Sequence, residues 1–102
     1  MGRKEYIRRL TDEDRIRCEI LTEKGKVFEF LVQYEAFIYN KWVAVARYDT
    51  RHDHVHLDLI SQDGTTKKKW FYHMDFNEGL YYAYEDIENN WKRYRERYLS
   101  GR

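Results

Sequence analysis

Residues 75–99 read DFNEGLYYAYEDIENNWKRYRERYL, and this stretch sets the fold class. Phe76, Leu80, Ala83, Ile87, Trp91, Tyr94 and Tyr98 recur at steps of three and four, which predicts one apolar stripe on a helix. Asp75 is placed to cap its first turn, and Glu78 three residues later completes a capping box. Acidic residues crowd the first half and basic residues the second, as the helix dipole favours. Glu88 and Lys92 stand at the stabilising i, i+4 spacing. Gly79 and the tyrosines at 81, 82 and 84 weaken the helix locally without ending it.

Upstream of the helix the period changes from 3.6 to 2. Residues 15–22, 26–38, 42–48, 53–60 and 66–72 each alternate in the manner of strands. Turn residues separate them: Glu23, Lys24 and Gly25, then Asn40 and Lys41, then Asp49 to Arg51, then Asp63-Gly64. The expected fold is α+β: an antiparallel meander sheet of about five strands, with one long C-terminal helix packed on one face. The helix stripe is expected to cover Phe28, Phe30, Val32 and Tyr34. Strand 42–48 is apolar on both sides until Arg47, which places it inside the sheet. Residues 1–14 read as a polar N-terminal arm or one short helical turn, and residues 15–102 as a single domain.

Composition narrows the class. The 102 residues suit one domain, and 18% aromatic content offsets a 36% charged fraction. The single cysteine, Cys18, forms no internal bridge, so a reducing cytoplasm is expected. No apolar run approaches the roughly 20 residues of a membrane span, and no secretory signal is expected. Heavy charge with one thiol is compatible with a thermophile. Both ends are basic, through Arg3, Lys4, Arg8 and Arg9 and through Lys92, Arg93, Arg95, Arg97 and Arg102, against an acidic middle. Such ends either contact phosphate or remain solvated.

Chemistry concentrates in residues 47–58, RYDTRHDHVHLD, which hold three of the four histidines. On a strand over 53–60, Val55, Leu57 and Leu59 share a buried face. His52, His54, His56 and Asp58 share the other, open to water and ligand. Three readings stand open for this row. H-x-H with a carboxylate is a metal-ligand set, but no distant cluster supplies a third firm ligand, so no metal or other cofactor is expected. His52, His54 and His56 could instead serve as base and acid in phosphoryl transfer, with Arg47 and Tyr48 beside them. The third reading is a solvated sheet face. Arg47 would hold a phosphate and Asp49 orient an imidazole, unless Asp49 only caps a turn. Lys67 and Lys69 would track phosphate beside the histidines or guard a sheet edge. Arg93 and Arg97, among the helix tyrosines, would contact nucleic acid.

The string VARYDTRHDHVHLD, the Asp63-Gly64 turn and the helix sequence together resemble a family of short uncharacterised prokaryotic proteins, over roughly residues 26–99. More remotely, Arg47-Tyr48-Asp49 followed by histidines is similar to the TumE-type toxins of toxin–antitoxin pairs. Thr50 here replaces the asparagine usual in those toxins, and proline is absent. The resemblance implies a small RNA-acting, toxin-like protein with a cognate antitoxin. The alternative is a non-catalytic module that binds a protein partner or a second copy of itself, through an exposed edge strand and a face bearing Leu31 and Phe37.

Overall fold

The computed structural model describes residues 1–101. The alternating segments form one antiparallel sheet of six strands in sequence order: β1 Gly2–Thr11, β2 Asp14–Glu23, β3 Lys26–Ile38, β4 Lys41–Asp49, β5 Val55–Ile60 and β6 Thr66–Phe71. The capping-box stretch becomes α1, Phe76–Leu99, with both reciprocal capping bonds formed by Asp75 and Glu78.

The sheet thus has one strand more than expected. The segment read as a polar arm is β1, paired along its length with β2. Its signal is faint because only Tyr6 and Leu10 are even partly buried. Backbone pairing holds it instead, helped by Arg8, which donates to Tyr84 at 3.3 Å and forms an ion pair with Glu88 on α1. The first tight turn falls at the marked residues, and the second falls one residue before the expected Asn40–Lys41, with Lys41 already in β4. Lys24 and Gly25 have φ of 51° and 77°, and Tyr39 and Asn40 have 52° and 65°. Successive left-handed residues suit two-residue hairpins.

The helix lies on the face made by Ile16, Val32, Tyr34, Tyr48 and Val55, all at most 1% exposed. It packs chiefly on β3, with the rings of Tyr34 and Trp91 centred 5.9 Å apart. Phe28 is the exception to the expected cover, being 49% exposed. At Gly79 the helix comes so near the sheet that an added Cβ would meet Val55 Cγ2 at 2.6 Å. Polar side chains fix the seam. Asp86 accepts from Tyr48 Oη at 2.7 Å, from Asn90 Nδ2 at 2.8 Å and from the Tyr94 hydroxyl. Asp14 accepts from Tyr34 Oη at 2.5 Å. Burial, then these carboxylate partners, hold the Tyr48, Tyr94 and Tyr34 hydroxyls well above the ordinary phenol range. Among the described residues no helix is long and apolar enough to cross a membrane.

Candidate functional site

Among the described residues no helix covers the second face of the sheet, and strand register arranges its side chains in rows. Pairing aligns Arg17, Gln33, Arg47, Asp58 and Lys68 across β2 to β6. The next row on the same face is Glu19, Leu31, Asp49, His56 and Trp70. Directly opposed residues in such rows lie close enough to bond. Gln33, Glu35, Asp49, His56 and Asp58 are all buried here although no element covers them. Charged and polar chains close over the carboxylates. Arg15 Nε lies 2.6 Å from Glu35 Oε1 and its guanidinium 4.0 Å from the centre of the Trp42 ring. Gln33 Nε2 donates to Glu35 at 2.5 Å, and Arg47 Nε to Gln33 Oε1 at 2.6 Å.

His56 sits at the centre. Alternation alone would place it in water, yet it is 1% exposed. Its Nε2 lies 2.9 Å from Asp49 Oδ1 and 3.7 Å from Asp58 Oδ2. Its Nδ1 lies 3.3 Å from the His54 carbonyl oxygen. Lys68 Nζ donates to Asp58 Oδ1 at 2.8 Å. The Arg51 backbone N–H donates to Asp49 Oδ1 at 3.0 Å, so Asp49 both caps the turn and orients an imidazole. Asp49, His56 and Asp58 each present a ligand atom within 4.8 Å of the others, which is the geometry of a metal-ligand set.

The histidine row itself is broken. His52 lies in a 3-10 turn, Arg51–Asp53, and only His54 and His56 remain beside the strand that starts at Val55. His52 and Asp53 both have φ of 65°, a left-handed conformation that non-glycine residues seldom adopt and that clusters at functional sites. The three imidazoles nevertheless meet, through a residue the sequence reading did not single out. The Trp70 ring lies 6.4 Å from His52, 6.4 Å from His54 and 4.8 Å from His56, centre to centre. Tyr72 stacks beside Trp70 at 5.8 Å with the ring planes 10° apart, and contacts His54 at 4.9 Å. His52, His54 and Tyr72 are exposed. A signal for Trp70 was present, because the tight turn at Asp63-Gly64 fixes a register that sets Trp70 opposite His56.

Other expected site residues fall elsewhere. Tyr48 points to the helix side, where its hydroxyl meets Asp86, so it does not join the histidines. Lys67 and Lys69 pair with Leu59 and Leu57 and share their face; the lysine beside the histidines is Lys68. Arg97 donates to the carbonyls of Val45 at 3.1 Å and Ile60 at 2.6 Å, tying the helix end to the sheet. Burial pulls its guanidinium down from the ordinary value. Arg93 is exposed on the helix, and Arg102 lies outside the described residues. Arg51 borders a cavity of about 250 Å³ shared with Arg3, Glu19, Leu31 and Thr50.

Comparison with curated proteins finds no match, and comparison with solved structures finds none. A family model described as a domain of unknown function matches residues 1–102, and the chain therefore belongs to that family, DUF7718.

Proposed function

We propose that the helix-free face binds single-stranded RNA and that the protein acts on it as a toxin-like ribonuclease. The observation that carries this reading is the stacked Trp70–Tyr72 pair with three imidazoles around it. Exposed Tyr72 with half-buried Trp70 beside it offers a base-stacking surface, and such stacking is worth about 1–3 kcal/mol per base. Arg51 and Lys68, both exposed, supply cations beside it.

The buried and exposed histidines take different roles. His56, sealed with Asp49, holds Trp70 in place. His52 and His54 are the imidazoles that reach solvent. In transesterification one takes the proton from the RNA 2′-hydroxyl as that oxygen bonds to the adjacent phosphorus. The 5′-oxygen leaves and takes a proton from the other, and a 2′,3′-cyclic phosphate remains. The nucleophile is the RNA's own hydroxyl, so the step needs no metal. Arg51, in the turn itself, is the guanidinium placed to counter charge on the phosphate. The Arg47-Tyr48-Asp49 resemblance to TumE-type toxins supports the same reading.

The test is a labelled, unstructured RNA of about 12 nucleotides, a length within the usual site size of single-strand binders, added to wild type, Trp70→Ala and His54→Ala. Wild type should bind and cleave it, Trp70→Ala should bind at least tenfold more weakly, and His54→Ala should bind without cleaving. Equal cleavage by wild type and His54→Ala would sink the catalytic assignment, and no binding by wild type would sink the whole reading.

A second reading rests on β1. Among the described residues its outer edge is unpaired over ten residues, and it displays Ile7 at 56% exposure. Such an edge can receive a strand from an antitoxin or from a second copy. A monomer mass at high concentration, with no RNA bound, would leave only a protein partner for this edge.

A further inference from the structure

We infer that Asp49, His56 and Asp58 form a site for one divalent transition-metal ion beneath the aromatic platform, with zinc the fitting probe. The inference stands independently of the RNA reading.

Donor chemistry is the first argument. Two carboxylate oxygens and one imidazole nitrogen make a recognised ligand set for zinc and its neighbours. Spacing fits as well. Ligand atoms about 2.1 Å from a tetrahedral zinc stand about 3.4 Å apart. The observed separations from His56 Nε2, 2.9 Å to Asp49 and 3.7 Å to Asp58, bracket that value. All three ligand atoms lie within 4.8 Å of one another.

Orientation of the ligands is the third argument. A metal-bound histidine usually donates its other N–H to a carbonyl or carboxylate, and ligating carboxylates are themselves hydrogen-bonded. All three supports are present. His56 Nδ1 faces the His54 carbonyl, the Arg51 N–H reaches Asp49, and Lys68 holds the Asp58 oxygen turned away from the imidazole. The metal-facing nitrogen is thereby Nε2, the atom on which both carboxylates converge.

Charge is the fourth. Asp49 and Asp58 turn two buried carboxylates toward one imidazole, and the cations facing them are Lys68, on Asp58, and Arg47, opposite Asp58 in the register. A divalent ion between the two carboxylates would be attracted by both. Lys68 is 44% exposed, so solvent screens its repulsion of the ion. The ion would sit under the Trp70 ring, which lies 4.8 Å from His56, and would stiffen the platform from below.

The experiment uses the full chain, stripped with chelator and then dialysed against zinc chloride. About one zinc per chain should be retained, with a rise in Tm of about 5–10 °C. His52→Ala/His54→Ala should keep both effects, because those exposed rings are not ligands. Asp49→Asn should lose both. Less than about one zinc per ten wild-type chains, with Tm unchanged, would overturn the site. Loss of the zinc in His52→Ala/His54→Ala would overturn it equally, by moving the ion to the surface.

Discussion

Gly79→Ala separates tertiary packing from helix propensity. On an exposed helix the change would stabilise by about 1 kcal/mol. Here the new Cβ would stand 2.6 Å from Val55 Cγ2, 3.2 Å from Val55 Cγ1 and 3.3 Å from Phe30 Cε2. Ordinary contact begins at 3.4 Å, so the closest pair must part by about 0.8 Å. Both Val55 methyls face the glycine and Val55 is fully buried, so any turn about its Cα–Cβ bond must push a methyl into its packed neighbours. Overpacking of this kind costs about 1–3 kcal/mol. The net expectation is a loss of about 1 kcal/mol, measured by urea denaturation at unchanged m-value. Val55→Ala removes both clashing methyls and by itself costs about 2 kcal/mol. In the double variant the methyl added on the helix fills that space, so the two losses should fall short of additivity by about 1–2 kcal/mol. Gly79→Ala that stabilises the chain, or a double variant that is strictly additive, would refute the close approach of α1 to β5.

Asp86→Ala strands the Tyr48 and Tyr94 hydroxyls and should cost about 2–3 kcal/mol, whereas Tyr48→Phe, which leaves Asp86 its other donors, should cost about 1 kcal/mol in the same titration. Alkali should unfold the protein cooperatively. The raised Tyr34, Tyr48 and Tyr94 hydroxyls stabilise the fold fully below the ordinary phenol pKa of about 10, and that stability is lost as the pH climbs above it. Tyrosinate absorbance should therefore rise in two phases, exposed rings first and buried rings together with loss of circular dichroism; one smooth phase would contradict this. Arg97→Met should lower stability by about 1–3 kcal/mol and leave RNA affinity within twofold, because its guanidinium is committed to the Val45 and Ile60 carbonyls. Unchanged stability with weakened RNA binding would restore the nucleic-acid role that the sequence suggested.

The helix was legible to within a residue or so, because capping, periodicity and charge all agree along residues 75–99. Strands β2 to β6 were legible from alternation and from turns whose residues tolerate left-handed backbone. β1 was not, since its pairing is carried by backbone groups and its side chains are almost all exposed. The site was half legible. Histidine spacing located the region, but period-2 reasoning put His56 in solvent. What buries it is a cross-strand row of long side chains, a property of register rather than of any one strand. The same register turns Lys68, not its neighbours, toward the site and brings Trp70 against the histidines.

Strand order has a further consequence, for how the chain reaches this structure. Each strand pairs only with its neighbours in sequence, across turns of a few residues. Every sheet contact therefore closes a short loop at small entropic cost, and hairpins of this kind form in about 1–10 μs. The helix is the exception. Asn77 Oδ1 accepts from the Val27 N–H fifty positions upstream, so α1 returns to a strand made much earlier in the chain. The sheet can zip hairpin by hairpin, whereas docking of α1 must close a loop that spans β4, β5 and β6. Long-range closure of this sort sets folding rates. Docking of α1 on β3 is thus expected to be the late step, and until it occurs the apolar face of the sheet stays wet.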